Sequence, residues 1–180
     1  TPLWSASTPS ADSRNIFTIL PGVGLVAFRG SNGAVLADYL RDPDAAGLIA
    51  HVRAQPIGAV IESTPALLEP PSMSWPSAAY RAFLEAHRGR RALLFVGAAD
   101  GMLHAIDART GIEVWAVIPF NLLPKLRALR DGQPIDAFAH FVSASPRLAD
   151  VEADGRWRTV LIFGEGAGGT LYQAFDVSLD

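Results

Sequence analysis

The densest set of oxygen ligands in the chain is Asp150-Val151-Glu152-Ala153-Asp154-Gly155, with carboxylates at alternate positions before a glycine. That spacing opens a calcium loop, in which successive oxygens wrap one ion and the glycine allows the sharp turn. A complete loop also needs an oxygen at position nine and a bidentate carboxylate at position twelve. Arg158 and Leu161 stand there, a cation and an apolar side chain. The segment therefore reads as a solvated acidic turn between two strands. His51, His87, His104 and His140 are widely spaced and form no H-E-x-x-H pair. His104 falls inside an apolar strand and reads as a structural residue, not a ligand. Ser63 and Ser143-Ala144-Ser145 lack the G-x-S-x-G frame of a nucleophilic serine. Residues 164–169 (GEGAGG) lack the G-K-[ST] ending of a phosphate loop. They lead into a strand, so no helix dipole would face a phosphate. Residues 88–91 (RGRR) read as a solvated basic turn. No catalytic, cofactor-binding or metal-ligating residue is assigned, and no cofactor is expected in this stretch of chain.

The composition narrows the classes further. Of 180 residues, 49% are hydrophobic and 18% charged, which excludes an intrinsically disordered chain. Cysteine is absent, so there is no disulfide framework, thiolate metal site or cysteine nucleophile. A net charge of −3 gives no basic field for nucleic acid, and the aromatic residues do not alternate with lysine or arginine. Mean hydropathy is +0.22, yet the best apolar run, residues 15–28, is broken by Pro21, Gly22 and Gly24. It falls short of the roughly 20 residues that a transmembrane helix needs. Residues 1–13 lack the charged start and apolar centre of a signal peptide and read as a linker or disordered arm.

The elements that carry these residues are mostly short strands. Residues 15–20 (NIFTIL) and 24–28 (GLVAF) flank Pro21-Gly22 and predict a hairpin. Helical spacing appears over 34–53, where Asp44 is an N-cap candidate, and over 77–88, capped by Ser77. From residue 92 the pattern turns to strands at 92–96, 102–106 and 112–118, then 138–143, 147–151, 157–163 and 171–177. A short helix over 121–130 interrupts them, entered through Pro124 and stopped by Asp131-Gly132.

Two of these strand pairs are alike. Residues 91–107 read RALLFVGAADGMLHAID, and residues 158–176 read RTVLIFGEGAGGTLYQAFD. Each runs basic residue, apolar strand, glycine turn, second strand, aspartate. Repetition on this scale points to a propeller or a related array. The first copy continues through Ala105 to Trp115 as AIDARTGIEVW, which resembles the tryptophan docking motif of quinoprotein-type β-propellers. Asp107 is suited to accept backbone N–H groups of the turn, and Gly111 to supply positive φ. Trp115 is expected to pack between blades, its indole N–H on a backbone acceptor. The second copy reaches Asp176, but the docking half after it is missing.

The wider stretch 96–126, VGAADGMLHAIDARTGIEVWAVIPFNLLPKL, resembles the signature of the C-terminal propeller of the PilC/PilY family, type IV pilus tip-associated proteins. Residues 14–18 (RNIFT), 57–68 and 157–177 resemble flanking pieces of that family in the same order. Ala59 stands where the family has an aspartate, Thr64 where it has a serine, and Glu165 where it has an apolar residue. The resemblance implies a mainly β fold, part of a quinoprotein-like β-propeller of about two blades. Residues 14–180 would form this partial propeller, with helical insertions near 34–53, 77–88 and 121–130. Residues 15–20 would be available to a strand from the far end of the polypeptide.

The functional expectation is a non-enzymatic pilus biogenesis factor and tip-associated adhesin, exported through the periplasm to the cell surface or pilus tip. This chain would be a scaffold for partner binding. The implied partners are minor pilins, the rest of its own polypeptide, and host or abiotic surfaces. The family further implies calcium, bound in a later part of the propeller. The alternative is a fragment of a quinoprotein-type dehydrogenase using pyrroloquinoline quinone, which the docking motif alone would equally allow.

Overall fold

The computed structural model describes residues 1–132 and 141–179. The chain opens with strands β1 (Ile16–Leu20) and β2 (Gly24–Ala27). Their register closes a three-residue loop between Leu20 and Gly24. Gly22 and Gly24, at φ +73° and +98°, supply the left-handed turn that this loop needs. Helices α1 (Gly33–Leu40) and α2 (Ala45–Ala54) follow. The Asp44 carboxylate accepts the Gly47 N–H at 2.9 Å and starts α2. After strand β3 (Ala66–Leu68), helix α3 (Ala78–His87) starts where Ser77 Oγ accepts the Tyr80 N–H. Strands β4 (Leu93–Gly97), β5 (Leu103–Asp107) and β6 (Glu113–Val117) form a meander. A 3-10 turn at Phe120–Lys125 then runs into α4 (Leu126–Arg130). Strands β7 (Arg147–Ala153), β8 (Arg156–Gly164) and β9 (Tyr172–Asp176) complete the described chain.

Two sheets result. One is six-stranded in the order β2-β1-β6-β5-β4-β3; the other is three-stranded, β7-β8-β9. All pairings are antiparallel except β1 with β6, which run parallel at Ile16–Ala116 and Phe17–Val117. Such a pair requires a long crossover. Here the crossover contains α1, α2 and α3. Alternation along β1 sends Ile16, Thr18 and Leu20 inward. Ile16 and Leu20 join one hydrophobic core with Leu36 and Leu40 of α1 and Leu48, Ile49 and Val52 of α2. Leu122, Leu123 and Leu126, from the segment packed against α1, α2 and β1, complete it.

A mainly β architecture is therefore only part of the picture. The described residues form a mixed α/β fold with four α-helices, and no ring of blades is present among them. The physical reason is β1. Its parallel pairing welds the β1–β2 hairpin onto the β3–β6 meander, and two helices cover the joined sheet. One edge of β1 is taken by β2 along Phe17–Leu20, and the other by β6 at Ile16 and Phe17, so a strand from elsewhere could not pair with residues 15–17 on that side.

Candidate functional site

The most chemically potent groups lie in the core. Arg14 forks onto Glu113, its Nε donating to Oε1 at 2.7 Å and its Nη2 to Oε2 at 2.8 Å. Glu113 Oε2 also faces His104 Nδ1 at 2.7 Å. On its other side, His104 Nε2 faces the Asp100 carboxylate at 3.1 Å. Asp100 in turn accepts the backbone N–H groups of Gly58 and Met102. Arg14 Nη1 reaches the carbonyls of Arg53 and Gln55. The side chains of Arg14, Glu113 and His104 are wholly buried.

Local structure explains the convergence. His104 projects from β5, Glu113 begins β6, and Arg14 enters just before β1, which the parallel pairing sets beside β6. Asp100 sits in the β4–β5 turn, which Gly101 shapes at φ +91°. Burial drives the His104 pKa down, but the Asp100 and Glu113 carboxylates outweigh it and raise it to about 9. With a carboxylate at each ring nitrogen, both nitrogens donate and the ring is an imidazolium. Burial would raise the Glu113 pKa, yet its bonds from His104 and Arg14 hold it below the usual carboxylate range. The four groups alternate in sign and satisfy one another. No member is placed to exchange a proton with an external substrate, so the arrangement ties four chain segments together.

The turn after β5 is a second ordered polar feature. Asp107 Oδ1 accepts the N–H groups of Arg109 (2.8 Å) and Thr110 (3.0 Å), and the Gly111 N–H returns to the Asp107 carbonyl. Gly111 has φ +74°. Burial acts to raise the Asp107 pKa, and these turn N–H groups lower it below the ordinary value. The sequence repeat becomes geometry here. Arg91 Nε lies 3.4 Å from Asp107 Oδ2, and Arg158 Nε lies 3.6 Å from Asp176 Oδ2. Each copy thus joins its first and last residue across an antiparallel pair, β4–β5 and β8–β9. Asp176 also accepts the Ser178 N–H, the beginning of the same kind of turn.

Trp115 packs against Phe95 and is only half-buried. It lines an apolar groove of about 240 Å³ together with Phe17, Leu25 and Val117 of the six-stranded sheet and Phe175 and Val177 from β9 and the residue after it. The indole-to-carbonyl bond expected of Trp115 is made instead by Trp4, whose Nε1 donates to the Ala108 carbonyl at 2.9 Å. The Trp4 ring covers Gly111 so closely that a Cβ there would lie 2.5 Å from Cε3. Ser7 forms a parallel bridge with Ile112. Trp4 and Ser7 are thus bonded to the β5–β6 turn.

The remaining sequence candidates are held by structural partners. Asp150 accepts the Tyr80 hydroxyl at 2.7 Å and the Thr159 hydroxyl at 2.6 Å. Burial, and then the bond to Asp150, push the Tyr80 phenol up to about 12. Asp154 and Gly155 form a two-residue hairpin turn, both with positive φ. Among the described residues no cluster of three His, Cys, Asp or Glu side chains could hold a metal ion. His87 Nδ1 contacts the Phe83 carbonyl; His140 lies outside the described residues. Ser63 Oγ accepts the Gly97 N–H, and Ser143 Oγ accepts that of Ala167. The glycine-rich turn is filled by its own Glu165, which accepts from Asn121 and from the Leu171 N–H. Ala59 contributes its carbonyl, to the Ala99 N–H.

Sequence reading missed Arg14, Asp100 and Glu113. A usable signal was present: His104 and Glu113 interrupt strands that are otherwise apolar, and buried ionisable groups need partners.

No protein-family model matches the chain. A "Type IV pilus biogenesis factor PilY1" of Pseudomonas aeruginosa UCBPP-PA14 is 37% identical over 131 residues, 68% of this chain and 11% of that protein. A "Type IV pilus biogenesis factor PilY1 homolog" of Xylella fastidiosa Temecula1 is 30% identical over 99% of this chain and 16% of its own length. The solved C-terminal domain of Pseudomonas aeruginosa PilY1 shares 38% identity, with a TM-score of 0.41 over 56% of this chain and 18% of that one. The chain therefore spans only about a tenth to a sixth of the curated relatives it matches. No helix among the described residues is long and apolar enough to cross a membrane. By its sequence, the chain is homologous to a segment of the PilY1 type IV pilus biogenesis factors.

Proposed function

We propose that this chain is a non-catalytic scaffold segment of a type IV pilus biogenesis factor. It would act at the cell surface or pilus tip and bind minor pilins, other parts of its own polypeptide, and host or abiotic surfaces. The observation that carries this reading is the identity to PilY1 across most of the chain. The closed ion network supports the non-catalytic part, because the groups best suited to proton transfer are buried against one another. We further propose that the described strands are a piece of a propeller. The run β6-β5-β4-β3 is a four-stranded antiparallel meander of blade size, and β7-β8-β9 supplies three strands of a second. Calcium, on this reading, belongs to another part of the polypeptide.

The test is genetic and chemical. Deleting the gene in its own bacterium should remove most surface pili recovered by shearing, and restoring it should return them. Unchanged pilus yield would overturn the pilus assignment. Dye reduction with pyrroloquinoline quinone, calcium and an alcohol would replace the scaffold by a dehydrogenase, the reading that the Asp107 turn alone would permit.

A further inference from the structure

We propose that the cleft between residues 89–92 and the Asp107–Arg109 turn is a binding site for the sulfate groups of an acidic polysaccharide. The proposal stands on charge and geometry and does not depend on the pilus assignment.

The run RGRR at residues 88–91 reads as a solvated turn when taken alone. Folding gives it an opposite wall. Arg90, Arg91 and Arg109 line one cleft of about 390 Å³ with Gly89, Ala92 and Asp107. Three guanidiniums therefore share a concavity with one carboxylate, in a chain whose net charge is −3. Asp107 is already engaged: Oδ1 accepts the Arg109 and Thr110 N–H groups, and Oδ2 lies 3.4 Å from Arg91 Nε. The lining of the cleft is positive in sum, and a concave protein wall concentrates such a field.

The two walls are held in place by bonds of their own. The Ala108 N–H donates to the Ala92 carbonyl at 3.0 Å and ties one wall to the other. Arg90 donates through Nε to the Glu69 carbonyl at 3.1 Å and through Nη1 to Thr159 Oγ1 at 2.7 Å. Both of these acceptors are neutral, so the two bonds orient the guanidinium without cancelling its charge. Arg109 is exposed and is carried on the turn that Asp107 closes. Arg88, whose side chain is 76% exposed beside Glu85, continues the basic strip beyond the cleft.

The ligand class follows from the lining. A guanidinium presents a planar fork of N–H donors, which suits an oxyanion with several oxygens. A tetrahedral sulfate can take donors from more than one guanidinium at once. No aromatic side chain lines the cleft, so nucleic-acid bases would find no stacking platform there. A sulfated polysaccharide carries its charge without bases, and successive sulfates would meet the cleft and then Arg88.

The probe is a fluorescently labelled heparin hexasaccharide, and the host is the full chain at low ionic strength. Anisotropy should show saturable binding that weakens as salt is added. Arg109→Glu should weaken it roughly ten-fold or more. Arg109→Gln, which only removes the charge, should weaken it roughly three-fold and serves if the reversal disturbs the turn. Arg127→Glu makes the same charge change on α4, outside the cleft, and should leave binding within about two-fold. A hyaluronan hexasaccharide, with carboxylates and no sulfate, should bind roughly ten-fold more weakly. Absence of heparin binding overturns the proposal. So does an equal loss from Arg127→Glu, which would show an effect of net charge alone. Equal binding of hyaluronan, or of an oligothymidylate of matched charge, would also overturn it by removing the preference for sulfate or for a polysaccharide.

Discussion

Replacing Glu113 by glutamine keeps the shape of the side chain and removes its charge. Arg14 would then have no anionic partner, only backbone carbonyls and a neutral amide oxygen, and His104 would keep Asp100 as its one carboxylate. Removing one partner of a buried ion pair costs about 3–5 kcal/mol, because the other charge stays uncompensated in the core. Two cations depend on Glu113, and both lie at zero exposure, which places the loss in the upper part of that range. For a domain of this size such a loss lowers the thermal midpoint by roughly 6–20 °C. Urea unfolding at pH 7 should show a lower midpoint at unchanged slope. The second half of the test is a cycle with Arg14→Met. The double variant should be more stable than the sum of the single losses implies, by about 1–3 kcal/mol, since the Arg14 charge that Glu113→Gln orphans is gone. A loss below about 1 kcal/mol for Glu113→Gln, or a strictly additive cycle, would refute the claim that this network holds the four segments together.

Three further outcomes are expected. The His104 pKa rises from 6.5 to about 9 on folding, so its contribution is complete below pH 6.5 and is lost as pH climbs through 9. Unfolding midpoints should fall across that window, and His104→Gln should flatten the fall; a flat wild-type profile would contradict the imidazolium assignment. Trp115→Ala should cost about 2 kcal/mol, less than a fully buried tryptophan, because the indole is half-exposed in its groove; an unchanged midpoint would show that the groove contributes nothing. Calorimetric titration with calcium should give no tight binding, since Asp150 is already engaged by Tyr80 and Thr159; micromolar binding removed by Asp154→Ala would reverse this.

Local signals carried much of the fold. The caps at Asp44 and Ser77 and the turn at Pro21-Gly22 follow from side-chain chemistry within a few residues. The repeat was legible because two copies obey the same local rule, and the pairs Arg91–Asp107 and Arg158–Asp176 give it a physical meaning. The parallel match of β1 with β6 was not legible: nothing in NIFTIL distinguishes a strand that pairs with residue 116 from one that pairs only with its hairpin partner. The network failed for the same reason, since Arg14 and Glu113 are 99 residues apart. Trp4 was overlooked because its neighbours, rich in Ser, Thr and Pro, read as linker; its meaning depends on a turn more than 100 residues away.

The same separation sets an order of events during synthesis. Chain emerges from the ribosome at roughly 5–20 residues per second, so Arg14 waits about 5–20 s before Glu113 exists. Throughout that interval β1 is a lone hairpin with one edge open, and isolated two-stranded hairpins are marginal in water. An arginine without its carboxylate resists burial, which keeps the leading hairpin solvated and discourages premature collapse onto α1 and α2. On this reasoning the ion pair would act in time as well as in space, holding the first strand uncommitted until the strand that must lie beside it has been made.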